Sequence, residues 1–172
     1  MQYEILKTSP GEDYELLDSG DGEKLERYGN VVVARPDPQA LWRKRLPSSE
    51  WQKAQAFFKR DSTSAEWQTR GEIPRRWAIN FSGLQFWIKL SAFKHTGLFP
   101  EQKSNWEWLR EKIKMAKRPI SVLNLFGYTG GATLASAQAG ASVVHVDGAK
   151  SAIGWGRDNA MLSGLEKKPI RW

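Results

Sequence analysis

The chain has 172 residues, 40% hydrophobic and 26% charged, with a net charge of +7, which is enough for one core or for a small domain joined to part of another. It contains no cysteine, which excludes disulfides, thiolate metal sites and cysteine nucleophiles within it; His95 and His145 are its two imidazoles, and no metal site is expected. No run approaches the roughly 18 to 20 apolar residues of a membrane span, and Met1-Gln2-Tyr3-Glu4 lacks the regions of a signal peptide, so no membrane partner and a cytoplasmic location are expected.

The charge is uneven along the chain. Residues 1–34 carry eight acids against three bases, and residues 35–172 carry eleven acids against twenty-three bases. A basic body with Arg43-Lys44-Arg45, Arg75-Arg76 and Lys167-Lys168 could attract the phosphates of an RNA partner through release of its counterions; the plain alternative is a solvated basic surface.

In chain order, Tyr14–Leu17 and Asn30–Ala34 read as strands around the turn Asp18-Ser19-Gly20-Asp21-Gly22. Arg35-Pro36-Asp37-Pro38 ends the extended run, because each proline biases its predecessor away from helix, and Gln39–Arg45 is expected to open a short helix. Residues 47–75 read as a poorly periodic connector. Trp77–Phe81 and Leu84–Leu90 alternate around Ser82-Gly83, the pattern of a two-residue hairpin. After Phe99-Pro100, residues Glu101–Met115 place Trp106, Trp108, Leu109 and Ile113 at helical spacings, with acids early and bases late, which suits the helix dipole.

The next segment carries the chemistry. Ser121–Phe126 reads as a buried strand, Gly127-Tyr128-Thr129-Gly130-Gly131 as a turn, and Ala132–Ala139 as a helix closed by Gly140. Ser142–Asp147 is a second strand ending in an acid, and Ala149–Ser163 a second helix stopping at Gly164. Such a βαβα unit implies parallel strands. Glycines after the first strand allow close approach of a ligand, and the following helix presents unpaired N–H groups to it. Asp147 lies twenty residues after Gly127, about the spacing at which an acid meets the ribose of an adenosine-type cofactor. The dinucleotide pattern G-x-G-x-x-G and the phosphate loop G-x-x-x-x-G-K-[ST] are both absent, which disfavours pyrophosphate. S-adenosylmethionine has an amino-acid group and a sulfonium in place of a phosphate, and Asn124 with the Tyr128-Thr129-Gly130 turn suits it. A glycine-rich turn that merely joins strand to helix is the plain alternative.

The stretch from Asn124 through Leu125, Phe126, Gly127, Tyr128, Thr129 and Gly130 to Gly131 resembles the class I S-adenosylmethionine-dependent methyltransferases related to the bacterial large-subunit ribosomal RNA methyltransferases. So do Val146-Asp147, Arg157-Asp158-Asn159-Ala160 and the upstream Thr96-Gly97-Leu98-Phe99-Pro100-Glu101-Gln102. The likeness is strongest from Phe93 to Leu165, and Arg35-Pro36-Asp37-Pro38-Gln39-Ala40 resembles one branch of the group. It implies an α/β fold with a Rossmann-like parallel sheet over residues 93–172, the first half only, preceded by a β-rich region over 1–92 that includes the hairpin 77–90. It also implies S-adenosyl-L-methionine as cofactor and ribosomal RNA as substrate class. By position, Phe99, Pro100, Glu101 and Gln102 would line the cofactor pocket, Asn124, Phe126, Gly127, Tyr128, Thr129, Gly130 and Gly131 would hold the methionine part, and Asp147 would bind ribose.

Other readings of single residues remain open. Phe99 and Tyr128 also suit a core, and Glu101 the start of a helix. Asp158 and Asn159 read as a solvated helix face, His95 as a turn residue, His145 as a core histidine and Trp155 as packing. The sequence stops at Ile170-Arg171-Trp172, inside an expected third strand, whereas the family continues to an Asp-Pro-Pro motif beside the target base. The resemblance therefore implies catalytic residues beyond 172, and weak cofactor binding without methylation by this polypeptide alone. A non-enzymatic RNA-binding module with a vestigial nucleotide fold is the rival from another class.

Overall fold

Polar and apolar residues alternate along much of the first half of the chain, and there the protein is built from strands. The computed structural model describes residues 5, 7–11, 13–60, 65–92 and 94–172; Met1–Glu4, Phe93 and positions 61–64 of the expected connector lie outside the described residues. Among the described residues two compact units form, one within Pro10–Phe81 and Ile88–Gly97, the other within Ile5–Ser9, Ser82–Trp87 and Leu98–Trp172.

The first of these holds a five-stranded sheet in chain order: β1 (Tyr14–Gly20), β2 (Glu23–Tyr28), β3 (Val31–Pro36), β4 (Ala56–Arg60) and β5 (Ala65–Thr69), with the single-turn helix α1 (Ser48–Trp51) between β3 and β4. Neighbours are antiparallel except β3 and β4, which run parallel. Asp21 and Gly22, at φ 51° and 78°, turn β1 into β2, the left-handed pair that a two-residue hairpin loop requires. Leu25, Ala34 and Ala54 cluster in the core, with Leu17, Val32, Leu46, Trp51 and Phe57 packed around them.

Three expectations for this region are corrected. The turn placed at Asp18–Gly22 is narrower, because Asp18, Ser19 and Gly20 remain in β1, and β2 was missed. Gln39–Arg45 is not helical; helix begins only at Ser48. Tertiary bonds take its amides: Ala40 and Trp42 carbonyls accept from Gly22 and Asp21, and the Asp18 carboxylate accepts the N–H groups of Arg45 and Leu46 and the Trp51 indole N–H. The connector 47–75 contains α1, β4 and β5; short strands whose partners are distant in sequence leave little local signal.

Strands β6 (Trp77–Phe81) and β7 (Leu84–Ile88) form a hairpin turned by Ser82 and Gly83, at φ 54° and 68°.

The second unit is the βαβα segment. A 3₁₀ turn (Pro100–Gln102) leads into α2 (Lys103–Met115), then β8 (Ser121–Leu125), α3 (Gly131–Gln138), β9 (Ser142–Val146), α4 (Lys150–Leu162) and β10 (Ile170–Arg171). The sheet order is β10-β9-β8, all parallel. Helix α3 packs against α2 and β9, and Thr133 through Ala137 are all buried, as the small side chains of an alanine-rich helix permit. Ala137, Ala141 and Val143 form its core with Ile113, Ile120, Val122 and Ile170.

The expected burial of β8 on both faces is corrected. Val122 and Asn124 turn inward, while Leu123 and Leu125 are 62% and 55% exposed, beside Val144 and Val146 at 39% and 44%. Leu123 pairs with Val144 and Leu125 with Val146, so these four apolar side chains share one open face of the sheet.

Candidate functional site

The turn between β8 and α3 is held from below and behind. The Gly127 N–H donates to the Val146 carbonyl at 2.9 Å, and the Gly130 N–H to the Gly127 carbonyl at 2.9 Å. Asp147 holds the turn with one carboxylate oxygen, accepting the Tyr128 N–H at 2.8 Å, and its own loop with the other, accepting the Ala149 N–H at 2.8 Å. Phe126 and Tyr128 lie at φ 56° and 50°, a region that side-chain-bearing residues rarely adopt and that clusters at functional sites.

Glycine is required here for closeness. A Cβ on Gly127 would fall inside the His145 imidazole, and one on Gly131 inside the Trp106 indole. At Gly130, φ 92° is a left-handed conformation suited to glycine. As the N-cap of α3, Gly130 offers no capping side chain, which leaves the first-turn N–H groups available to an anionic group.

Asn159 on α4 completes the support. It is fully buried, donates from Nδ2 to the Thr129 carbonyl at 2.9 Å and accepts the Trp87 N–H at 2.8 Å. The expected solvated face is therefore corrected for Asn159 and stands for Asp158, which is exposed. The signal lay in the helical spacing: Ala152, Trp155, Gly156, Asn159 and Ala160 form one buried stripe, and an asparagine on an apolar stripe calls for a buried partner.

Beside this turn, within the same unit, lies a cleft of about 470 Å³, a volume ordinary for small-molecule sites. Nine of the twelve predicted positions line it: Phe99, Glu101, Gln102, Asn124, Phe126, Gly127, Tyr128, Thr129 and Gly131. Pro100, Gly130 and Asp147 are not among its lining residues; Pro100 and Gly130 are buried and Asp147 is half-buried. Leu98, Trp106, Leu125 and Ala132 also line it; Trp106 reads from spacing as a core residue, and its indole does stack on Phe86 at 5.6 Å. The Phe99 and Tyr128 rings meet at 5.1 Å, so each packs and lines the cleft at once.

Beneath the turn runs a polar chain. Asn124 Nδ2 donates to Thr133 Oγ1 at 2.8 Å, and Thr133 Oγ1 lies 2.8 Å from His145 Nδ1. His145 is a core histidine, 2% exposed; burial holds its pKa below the ordinary imidazole value, against the opposing pull of Asp147. Among the described residues no group of three or more acids or histidines is placed to hold a metal ion, and no helix is long and apolar enough to cross a membrane.

A parallel strand, a glycine turn, a helix with open N–H groups and a second strand leading into an acid define a Rossmann-like arrangement. Residues 48–170 match the family model described as S-adenosylmethionine-dependent methyltransferase, and the chain belongs to that family. A crystal structure of the S-adenosylmethionine-dependent methyltransferase from Agrobacterium tumefaciens aligns at a TM-score of 0.92 and 47% identity, over 99% of this chain and 55% of that one. The ribosomal RNA large subunit methyltransferase K/L of a Psychrobacter species is 30% identical over 85% of this chain and 18% of its own length. The ribosomal RNA large subunit methyltransferase K of Neisseria meningitidis is 26% identical over 86% of this chain and 43% of its own. The chain thus spans less than half the length of these curated relatives.

Proposed function

We propose that this chain carries the S-adenosylmethionine site of a methyltransferase that acts on RNA, with a ribosomal RNA base as acceptor, in the cytoplasm. The observation that carries the reading is the cleft itself, which combines aromatic rings, the polar groups of Glu101, Gln102 and Asn124, and the N-terminus of α3 in a volume suited to a nucleoside with an amino-acid tail. The residues present fit that ligand. Phe99, Pro100, Glu101 and Gln102 would form one wall, Asn124 and Phe126 through Gly131 would take the methionine end, and Asp147 would take the ribose while holding the turn. Residues 93–172 are then the cofactor-binding half-domain and residues 1–92 a β-rich region before it.

The cofactor, when bound, supplies an electrophilic methyl group. The residues of this chain hold and orient it, since transfer to a nucleophilic acceptor depends on alignment within near-attack distance. The RNA reading is supported by the basic balance of residues 35–172 and by the names of the curated relatives.

Calorimetric titration with S-adenosylmethionine and S-adenosylhomocysteine tests the cofactor site. Saturable binding is expected, with Asp147→Ala weakening it about tenfold or more, since that variant also orphans two backbone N–H groups. Tighter binding of NAD than of either ligand would replace the reading with a dinucleotide enzyme. Binding to ribosomal RNA fragments should weaken steeply with salt; RNA binding without any response to cofactor would favour a non-enzymatic RNA-binding module.

A further inference from the structure

The chain Asn124–Thr133–His145 has an internal order that the hydrogen-bonding capacities of its members constrain. Thr133 Oγ1 has one proton to give and two lone pairs to receive. It accepts from Asn124 Nδ2; when it gives its own proton to His145 Nδ1, 2.8 Å away, the imidazole proton lies on Nε2. His145 Nε2 is buried, burial lowers the imidazole pKa more than a backbone hydrogen bond with Tyr128 raises it, and the Trp172 indole lies 4.8 Å from the imidazole, ring to ring, tilted by 50°.

The far end of the chain reaches the cleft, which Asn124 helps to line. With Nδ2 committed to Thr133, the free end of the Asn124 amide is its carbonyl oxygen. We propose that Thr133 and His145 are positioning residues for the cofactor site: they set the Asn124 amide with its carbonyl outward, as an acceptor for the ammonium at the methionine end of the cofactor. The inference rests on the proposed cofactor site and extends it from which residues line the cleft to which of them select its ligand. The opposite order, His145 Nδ1–H to Thr133 to Asn124 Oδ1, would present an amide N–H₂ and repel an ammonium.

Two measurements test this. Nitrogen chemical shifts of ¹⁵N-histidine-labelled protein report the tautomer directly, and a His95→Gln variant assigns the remaining imidazole to His145. Above neutral pH the His145 proton is expected on Nε2; a proton on Nδ1 overturns the relay whatever the chain binds. The second measurement is calorimetry with S-adenosylhomocysteine and with methylthioadenosine, which lacks the amino-acid group. Thr133→Val should weaken the first about tenfold and leave the second within about twofold, and Thr133→Ser should restore wild-type affinity. Equal loss for both ligands, or none for either, overturns the positioning role. Failure of the wild-type chain to bind S-adenosylhomocysteine, with His145 protonated on Nε2, would overturn the cofactor reading and leave the relay as packing alone.

Discussion

Each unit buries a polar network, and the two are built differently. In the five-stranded sheet the network is charged and closed. The Glu26 carboxylate, fully buried, accepts from Arg35 Nε at 2.6 Å, Arg35 Nη2 at 3.1 Å and the Tyr14 and Tyr28 hydroxyls at 3.0 Å each. Burial pushes its pKa up, but the charge and hydrogen bonds of Arg35 outweigh that and hold it below the usual carboxylate range. In the parallel half-sheet the network of Asn124, Thr133 and His145 is neutral, and it ends at a cleft. A closed charged network makes a sheet specific and intolerant of a missing partner. A neutral one that ends at a surface leaves a polar atom for a ligand.

The sharpest way to break that contrast is to remove one charge. Glu26→Gln should cost about 3–5 kcal/mol in a denaturant melt, because it leaves the buried Arg35 guanidinium uncompensated, and Arg35→Met in the same background should recover part of the loss. A smaller cost than Thr133→Val would mean that the charged network is no more demanding than the neutral one.

Gly127→Ala probes the other side. Its methyl must displace the His145 ring, so about 1–3 kcal/mol of overpacking is expected in thermal unfolding, together with lost cofactor affinity. Gly22→Ala, where no atom lies within 4 Å, isolates the cost of a left-handed backbone without any clash and should leave cofactor binding unchanged.

Acid separates the two units by a smaller effect. Burial pushes the Asp18 carboxyl up, but the N–H groups of Leu46, Trp51, Ser19 and Arg45 hold it below its ordinary value. Its stabilisation is complete above the unfolded carboxyl pKa and is lost as pH falls through the folded one. His145, depressed by burial from 6.5, contributes fully above that value and progressively less as pH falls below it. Stability followed by denaturant midpoint should therefore begin to fall in mildly acidic solution, and His145→Gln should reduce that first part of the decline, which His95, also depressed by burial, shares, while Asp18→Asn reduces the more acidic part.

The smallest effect tests the open sheet face. Leu125→Lys should change stability by no more than about 0.5 kcal/mol, as at any exposed position, whereas Val143→Lys, 2% exposed on the same sheet, should unfold the unit. A large cost at Leu125 would mean that the face is covered in solution.

Much of this was legible in the residues because it was local. The run from Ser121 to Gly164 alternates strand, glycine, helix and glycine at spacings that few other folds satisfy, and nine of the twelve positions named for the cofactor line one cleft. The β-rich character of the first half was legible too, through Tyr14–Leu17, Asn30–Ala34 and the Trp77–Phe81 hairpin strand. Three of the misses share a cause. Strands β4 and β5, the irregular path at Gln39–Arg45 and the burial of Asn159 all depend on partners distant in sequence: Val33 and Ala34 pair with Ala56 and Phe57, Asp18 captures Arg45 and Leu46, and Asn159 reaches back to Thr129.

By itself, then, the sequence determined the parallel βαβα order and the glycine turn, because helix and strand periods and glycine placement are properties of neighbouring residues. It also determined that no thiol lies within these 172 residues, a matter of composition alone. Only the tertiary structure decided that the Asp147 carboxylate holds the turn before it can hold anything else, that His145 lies under Gly127, and that one face of the β8–β9 pair is open. Those outcomes depend on which groups meet when hydrogen bonds and packing close across the chain, and no local pattern records them.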